Sequence, residues 1–113
     1  MDRRIKQVLG IIERESGNHW SLSRIATAVH LSPSRLEHLF RLEMRTTYQS
    51  YVKEWRLTKA KDLLEKGVLS VKQIASQVGF SYPRNLAHAF KIRFGKTPSQ
   101  CRQGGTGVNS EET

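Results

Sequence analysis

The sequence reads SLSRIATAVHLSPSRLEHLFR over Ser21–Arg41 and SVKQIASQVGFSYPRNLAHAFK over Ser70–Lys91. The same pattern of apolar residues occurs in both stretches. Equivalent residues are 49 positions apart up to the serine of the turn and 50 positions apart after it. The matched pairs are Ile25/Ile74, Ala26/Ala75, Val29/Val78 and Ser32/Ser81, then Pro33/Pro83, Leu36/Leu86, His38/His88 and Phe40/Phe90. The extra residue is Tyr82. The repeat indicates one unit built twice, and its helix, turn and second helix are the layout of a DNA-reading helix-turn-helix.

Length and composition limit the class of protein. The 113 residues, 26% of them charged and 37% hydrophobic, are typical of one compact soluble domain or two very small ones. No stretch approaches the roughly 18–20 apolar residues of a membrane span, so we expect a cytoplasmic protein with no membrane partner. Cys101 is the only cysteine, which argues against a disulfide framework or a cysteine-based zinc site.

The charge is strongly positive and unevenly distributed. The formal net charge is +9, and residues 66–110 carry seven Lys or Arg and no acidic residue. A basic segment of this kind favours a polyanionic partner through counterion release. Charge alone favours nucleic acid only somewhat over an anionic membrane surface.

Periodicity and capping signals predict an all-α fold of about seven helices. Ser21 is the expected cap of one helix, with Trp20 and Ile25 placed for a hydrophobic staple, and Ser70 with Gln73 forms a capping box in the second copy. Gly17 is the expected stop of the first helix. We predict a first helix-turn-helix subdomain over residues 1–46, a linker helix over 47–66, a second subdomain over 67–102 and a disordered tail over 103–113. The linker would be a rod of roughly 27 Å for about 18 residues.

Several motifs in this order resemble the DNA-binding domain of the AraC/XylS family of bacterial transcription regulators. The linker carries Tyr51-Val52, Arg56-Leu57, Ala60 and Leu63-Leu64, and the second half carries Ile74-Ala75, Val78-Gly79-Phe80, Phe90-Lys91, Phe94-Gly95 and Thr97-Pro98. The resemblance covers about residues 3–102. It implies a cytoplasmic, nucleoid-associated bacterial regulator that binds double-stranded DNA without a cofactor.

Three positions depart from the family pattern. Arg45 stands where the family usually has glycine, so the turn after the first reading helix is expected to be reshaped, because a left-handed non-glycine residue costs roughly 1 kcal/mol. Cys101 replaces a common aromatic residue. Trp55 replaces a polar residue and is expected to be an exposed ring that could contact a partner.

In each copy the second helix is expected to read base edges in the major groove. The outward positions of the first reading helix are Ser34, Arg35, Glu37, His38 and Arg41, and the family's base-reading positions match Ser34, Glu37 and His38. On the second reading helix, the family's base-reading positions match Ser81, Tyr82, Pro83, Arg84, Ala87 and His88. Arg84 suits bidentate guanine recognition, with a phosphate clamp as the rival interpretation. Glu37 could accept from cytosine N4 or be a solvated surface residue.

Phosphate contacts are expected from cations and helix starts that flank the reading helices. The candidates are Arg35, Arg41, Lys53, Arg56, Lys91, Arg93, Lys96, Ser99 and Arg102. For Arg56 the alternative is an internal brace of the fold.

The leading hypothesis is a sequence-specific regulator, usually an activator that contacts RNA polymerase, whose two reading helices enter successive major grooves of an asymmetric site. The alternative is a non-specific or architectural nucleic-acid binder, which explains the charge equally well. An enzyme is disfavoured, because His19, His30, His38 and His88 are scattered without metal-ligand spacing. The chain is expected to be a monomer. It is either a stand-alone short member or the C-terminal half of a longer regulator that could dimerise, with Met1 added.

Overall fold

A computed structural model describes the backbone of residues 1–14 and 21–106 and the side chains of these segments up to Arg102. These residues form seven α-helices and no strand, so the all-α prediction is confirmed. The helices are α1 (Arg3–Arg14), α2 (Leu22–Ala28), α3 (Pro33–Met44), α4 (Tyr48–Lys66), α5 (Val71–Val78), α6 (Pro83–Phe94) and α7 (Pro98–Thr106). No helix in the described segments is both long and apolar enough to cross a membrane.

The predicted capping residues begin their helices. Ser21 Oγ accepts a hydrogen bond from the Arg24 amide at 3.2 Å, which satisfies one of the free N–H groups of α2. Ser70 and Gln73 form the reciprocal capping box of α5, with bonds of 3.1 and 2.8 Å. Short-range sequence signals therefore fix where these helices start. The predicted stop at Gly17 and the staple residue Trp20 lie outside the described residues.

The turn between the two helices of each motif is closed in the same way in both copies. The Leu31 amide donates to the Ala26 carbonyl, and the Phe80 amide donates to the Ala75 carbonyl, each at 2.9 Å. These six-residue bonds are typical of a Schellman helix end and need a left-handed residue just before the donor. That residue is His30 in the first copy, with φ of 62°, and a glycine in the second.

The chain divides into two compact units, with the boundary between Glu54 and Trp55 inside α4. In the first unit α3 packs against α1 and α2, and Phe40 is fully buried with its ring edge-on to Tyr48 at 5.8 Å. In the second unit α6 packs against α5 and α7 around Phe90. Each motif thus has its own hydrophobic core, which holds its second helix by one face.

The second unit's core includes the cysteine. Cys101 of α7 is fully buried and belongs to the same cluster as Ala60, Ile74 and Phe90. Burial raises the pKa of its thiol, and the carboxylate of Glu65 acts in the same direction. A small, fully buried residue therefore anchors α7 in the core of the second unit.

Four details concern expectations that the structure corrects or decides. The turn at Arg45 is not reshaped, because Arg45 itself adopts the left-handed conformation with φ of 59° and its amide bonds the Arg41 carbonyl at 2.9 Å. Tyr82 and Ser81 were both candidates to begin α6; the N-cap is Tyr82, because the extra residue shifts the serine out of register, and no side chain caps this helix. Trp55 is half-buried, since it lies seven residues after Tyr48 on the same helix face.

The fourth detail is the end of the chain. Helix α7 runs to Thr106, four residues into the segment predicted to be a tail, because the helix that Thr97 and Gln100 cap at its start continues through the backbone of two glycines. Residues 107–113, the rest of the predicted tail, lie outside the described residues.

Candidate nucleic-acid interface

Helix α3 presents a polar face that is separate from its buried face. Leu36 and Phe40 are fully buried and hold α3 in the first unit, while Ser34, His38 and Arg41 on the opposite side are exposed. Ser32 Oγ caps α3 through the Arg35 amide at 3.2 Å, and the Arg35 side chain is exposed. The core therefore fixes the direction in which the polar face points.

The predicted residues of α3 share one surface depression. It is lined by Ser34, Glu37, His38, Arg41 and Leu42. The structure thus brings together all three residues predicted to read bases and one predicted to bind phosphate. Glu37 is half-buried and the others are exposed, so the depression combines a hydroxyl, a carboxylate, an imidazole and a guanidinium within one helix face. These are the donor and acceptor types that distinguish base pairs in the major groove.

Helix α6 repeats the arrangement in the second unit. Leu86 and Phe90 are fully buried, whereas the residues on the other side are exposed. The predicted base-reading residues Ser81, Tyr82, Pro83, Arg84 and His88 are exposed and Ala87 is half-buried. A second depression is lined by Ala87, His88, Lys91, Ile92 and Thr97. It is the counterpart of the first, because four of its five residues follow residues of the α3 depression by 50 positions.

Arg84 is oriented by its neighbour rather than projecting freely. Its Cζ lies 5.0 Å from the centre of the Tyr82 ring, within range of a cation–π interaction. Tyr82 is itself 56% exposed, so the pair forms an aromatic and cationic platform at the start of α6. Helix α6 also holds Lys91 and Arg93 and no carboxylate, so every charged side chain of this helix is cationic.

The predicted phosphate-binding residues fall into two groups. Those with exposed side chains are Arg35, Arg41, Lys53, Lys91, Arg93 and Ser99, and those that are half-buried are Arg56, Lys96 and Arg102. Arg93 stacks on the Phe94 ring, with Cζ 4.7 Å from its centre. Arg102 donates to the Leu69 carbonyl oxygen and so joins α7 to the segment before α5. The guanidinium groups of Arg93 and Arg102 are therefore engaged within the fold.

Sequence reasoning did not assign a role to two exposed aliphatic residues on these faces. Leu42 is 64% exposed and Ile92 is 71% exposed, and each lines the depression of its own helix. They are equivalent residues, 50 positions apart. The repeat was the signal that could have revealed them, since both copies keep a large apolar residue where the core does not need one.

The fold and these two faces define a protein with a duplicated helix-turn-helix. A family model described as a helix-turn-helix domain matches residues 25–104, and the chain belongs to the AraC-type helix-turn-helix family, as its motifs indicated.

Three similar proteins illustrate the match. The Msm operon regulatory protein of Streptococcus mutans is 34% identical over 99 residues, which cover 88% of this chain and 36% of that protein. The arabinose operon regulatory protein of Salmonella typhimurium is 31% identical over 92% of this chain and 37% of that protein. A third match is the crystal structure of a transcriptional regulator from Chromobacterium violaceum, described as an AraC-type DNA-binding domain-containing protein. It superposes with a TM-score of 0.82 at 27% identity and covers 93% of this chain and 94% of that one. The chain spans about a third of the length of these two curated relatives.

Proposed function

We propose that this protein is a sequence-specific double-stranded DNA-binding transcription regulator. The observation that carries the proposal is the pair of equivalent exposed faces on α3 and α6, each mixing hydrogen-bonding groups with cations and each held by a fully buried opposite face. A surface that binds phosphates alone needs only Lys and Arg. The presence of Ser34, Glu37 and His38 beside Arg41 favours recognition of base edges.

The comparisons support the proposal. The similar proteins of Streptococcus mutans and Salmonella typhimurium are named as operon regulatory proteins, and the Chromobacterium violaceum structure is titled as a DNA-binding one. The net charge of +9 suits a polyanionic partner.

Four of the reading residues have a specific chemical role in the proposal. His38 donates to guanine N7 or O6, Glu37 accepts from cytosine N4, and Arg84 bonds guanine with both arms of its fork. Ala87 packs on a thymine methyl group. The exposed cations beside each helix bind phosphates and set its register on the duplex.

We further propose that residues 1–46 and 67–102 each form one reading module, joined by residues 47–66, and that their reading helices enter successive major grooves about 34 Å apart. The two depressions differ in residue type, with Glu37 in one and Ala87 at the matching position in the other. One chain would therefore read an asymmetric site as a monomer, and a longer protein that contains it could dimerise.

Selection of bound duplexes from a random pool tests the proposal. The expected result is one asymmetric consensus, bound at physiological salt at least about a thousandfold more tightly than unrelated DNA. Hydroxyl-radical footprinting on the selected duplex should show two protected patches about one helical turn apart. Equal affinity for all duplexes would contradict sequence-specific recognition, and a single short protected patch would contradict the use of both helices.

The segment 66–110, which has no acidic residue, favours a second candidate, a non-specific nucleic-acid binder. Alanine variants of His38 and Arg84 separate the two functions. Specific reading predicts a loss of about 1–3 kcal/mol on the selected duplex, with relaxed preference at one base pair. Lys72→Ala is the matched control, because Lys72 is an exposed cation on α5, outside both reading helices. A uniform loss across all sequences would support the second candidate.

The regulatory output is part of the same proposal. We propose that the bound protein acts as an activator by contacting RNA polymerase beside its site, in the bacterial cytoplasm at the nucleoid, and that it has no enzymatic activity. Transcription in vitro from a promoter that carries the selected site tests this. A rise on addition of the protein is expected, and a fall would identify a repressor.

A further inference from the structure

The reading faces of α3 and α6 each continue into an aliphatic residue. Residues four apart lie above one another on a helix, so Ser34, His38 and Leu42 form one stripe along α3. On α6 the same stripe is Arg84, His88 and Ile92. Leu42 and Ile92 are each the tenth residue of a twelve-residue helix. They therefore occupy the same place in the two motifs.

Single exposed hydrophobic residues are ordinary on protein surfaces, but this pair has two further properties. Five large hydrophobic residues are well exposed in the described part of the chain, and two of them are these repeat equivalents. Each also lines the same depression as the polar residues proposed to read bases, namely His38 beside Leu42 and His88 beside Ile92. A function that both motifs share accounts for both properties, and groove reading is such a function.

The chemistry of the major groove supplies one apolar group that identifies a base. Thymine presents its C5-methyl group there, beside donors and acceptors that polar residues read. The stripe from Ser34 to Leu42 extends about 12 Å along the helix, the length of three to four base-pair steps. An aliphatic residue at its end can therefore reach a base beyond those that His38 contacts.

We propose that Leu42 and Ile92 are specificity-determining residues, each of which recognises thymine by packing against its C5-methyl group. This inference rests on the proposed DNA-binding function and adds one thymine to the recognition site of each reading helix. The flanking cations Arg41 and Lys91 are exposed in the same depressions and would bind the phosphates beside it. The charge of the two surfaces thus fits DNA better than an apolar protein partner.

Replacement of thymine by uracil isolates the methyl group. In the duplex selected by the full chain, each thymine is replaced singly, and affinity is measured by fluorescence anisotropy for the wild type, Leu42→Ala and Ile92→Ala. Besides the thymine proposed to pack on Ala87, we expect two sensitive thymines, each weakening wild-type binding about three- to fivefold when it loses its methyl group. The effect at one of them should vanish in Leu42→Ala, and the effect at the other should vanish in Ile92→Ala.

The control variant is Val68→Ala, because Val68 is 81% exposed and lies outside the reading helices. It should keep both thymine effects. All three replaced side chains are exposed, so thermal unfolding should be unchanged and should verify folding. If neither Leu42→Ala nor Ile92→Ala abolishes a uracil effect, or if the wild type is insensitive to every uracil, the inference is overturned while the proposed function stands. Failure of the selection to yield any consensus would overturn both.

Discussion

Arg45 and Gly95 end equivalent helices in the same left-handed conformation, with φ of 59° and 81°. In each case the amide of this residue donates to a carbonyl four residues earlier, at 2.9 Å for Arg45 and 2.8 Å for Gly95. The two turns therefore have one geometry, which glycine adopts without strain and arginine does not.

We predict that Arg45→Gly stabilises the protein by about 0.5–1 kcal/mol, because relief of the strained backbone exceeds the added entropy of the unfolded chain. Arg45→Ala removes the same charge but keeps the strain, so it should unfold like the wild type. Gly95→Ala should destabilise by about 1 kcal/mol through backbone strain alone, since an added Cβ meets no atom within 4 Å. Urea unfolding measures all three. Equal stability of Arg45→Gly and Arg45→Ala would show that the turn is not strained.

The start and end signals of the helices could be predicted from the sequence wherever they act over a few residues. The caps at Ser21 and Ser70 belong to this class, because the hydroxyl and the amide it serves are three residues apart. The left-handed residue His30 was also predictable in principle. It aligns with Gly79, whose φ is 99°, and only the comparison of the two copies shows that a histidine occupies a glycine position.

The rest of the candidate site depends on the tertiary fold. Arg102 donates to a carbonyl 33 residues away, at Leu69, which no local pattern indicates. The ring of Tyr82 lies against the guanidinium group of Arg84 at the start of α6, a contact that the sequence pattern did not predict. Composition and periodicity predicted which helix faces are polar, but they did not predict which cations are engaged within the fold.

The Tyr82–Arg84 stack leads to a prediction about affinity. Tyr82→Ala should weaken binding to the selected duplex about two- to fivefold, because the guanidinium group loses an exposed cation–π partner that orients it. Tyr82→Phe keeps the ring and should bind like the wild type. Fluorescence anisotropy titrations measure both. If Tyr82→Phe loses as much affinity as Tyr82→Ala, the hydroxyl group contacts DNA and the ring does not act by positioning Arg84.

Lys91 is expected to contribute to DNA binding and not to stability, whereas Arg102 is expected to contribute to stability. Lys91 is exposed beside the α6 depression, so Lys91→Ala should reduce the slope of log affinity against log salt by about one, with unchanged thermal unfolding. Arg102→Ala removes a bond from a charged donor to a backbone carbonyl and should destabilise the fold by about 1–2 kcal/mol. Salt titrations and urea unfolding test the contrast. A full unit of salt slope lost in Arg102→Ala would assign Arg102 to the DNA.

Tyr51 should make the stability of the first unit depend on pH at the alkaline end. Burial, with a further contribution from the carboxylate of Glu13, raises the pKa of Tyr51 above its ordinary value of 10.0. The unfolded chain therefore loses this proton first. The stabilising contribution is complete below pH 10 and is lost as the pH rises through the folded pKa. We will compare the unfolding free energy of the wild type with that of Tyr51→Phe from pH 8 to about pH 11.5. The difference should be constant below pH 10 and should change as the pH rises above it. A difference that does not vary with pH would contradict the raised pKa.

Cys101 should report unfolding of the second unit. Its side chain is fully buried, so a reagent cannot reach the sulfur in the folded state. Burial also raises the pKa of the thiol, which disfavours the thiolate needed for reaction. We expect no labelling of the native protein by a thiol reagent at pH 8 and rapid labelling in urea. Cys101→Ser should destabilise by about 1–3 kcal/mol, since its hydroxyl group would be buried in an apolar cluster, and Cys101→Ala should cost less. Rapid labelling of the native protein would show that α7 detaches readily. If Cys101→Ser is as stable as Cys101→Ala, the surroundings of residue 101 are not apolar.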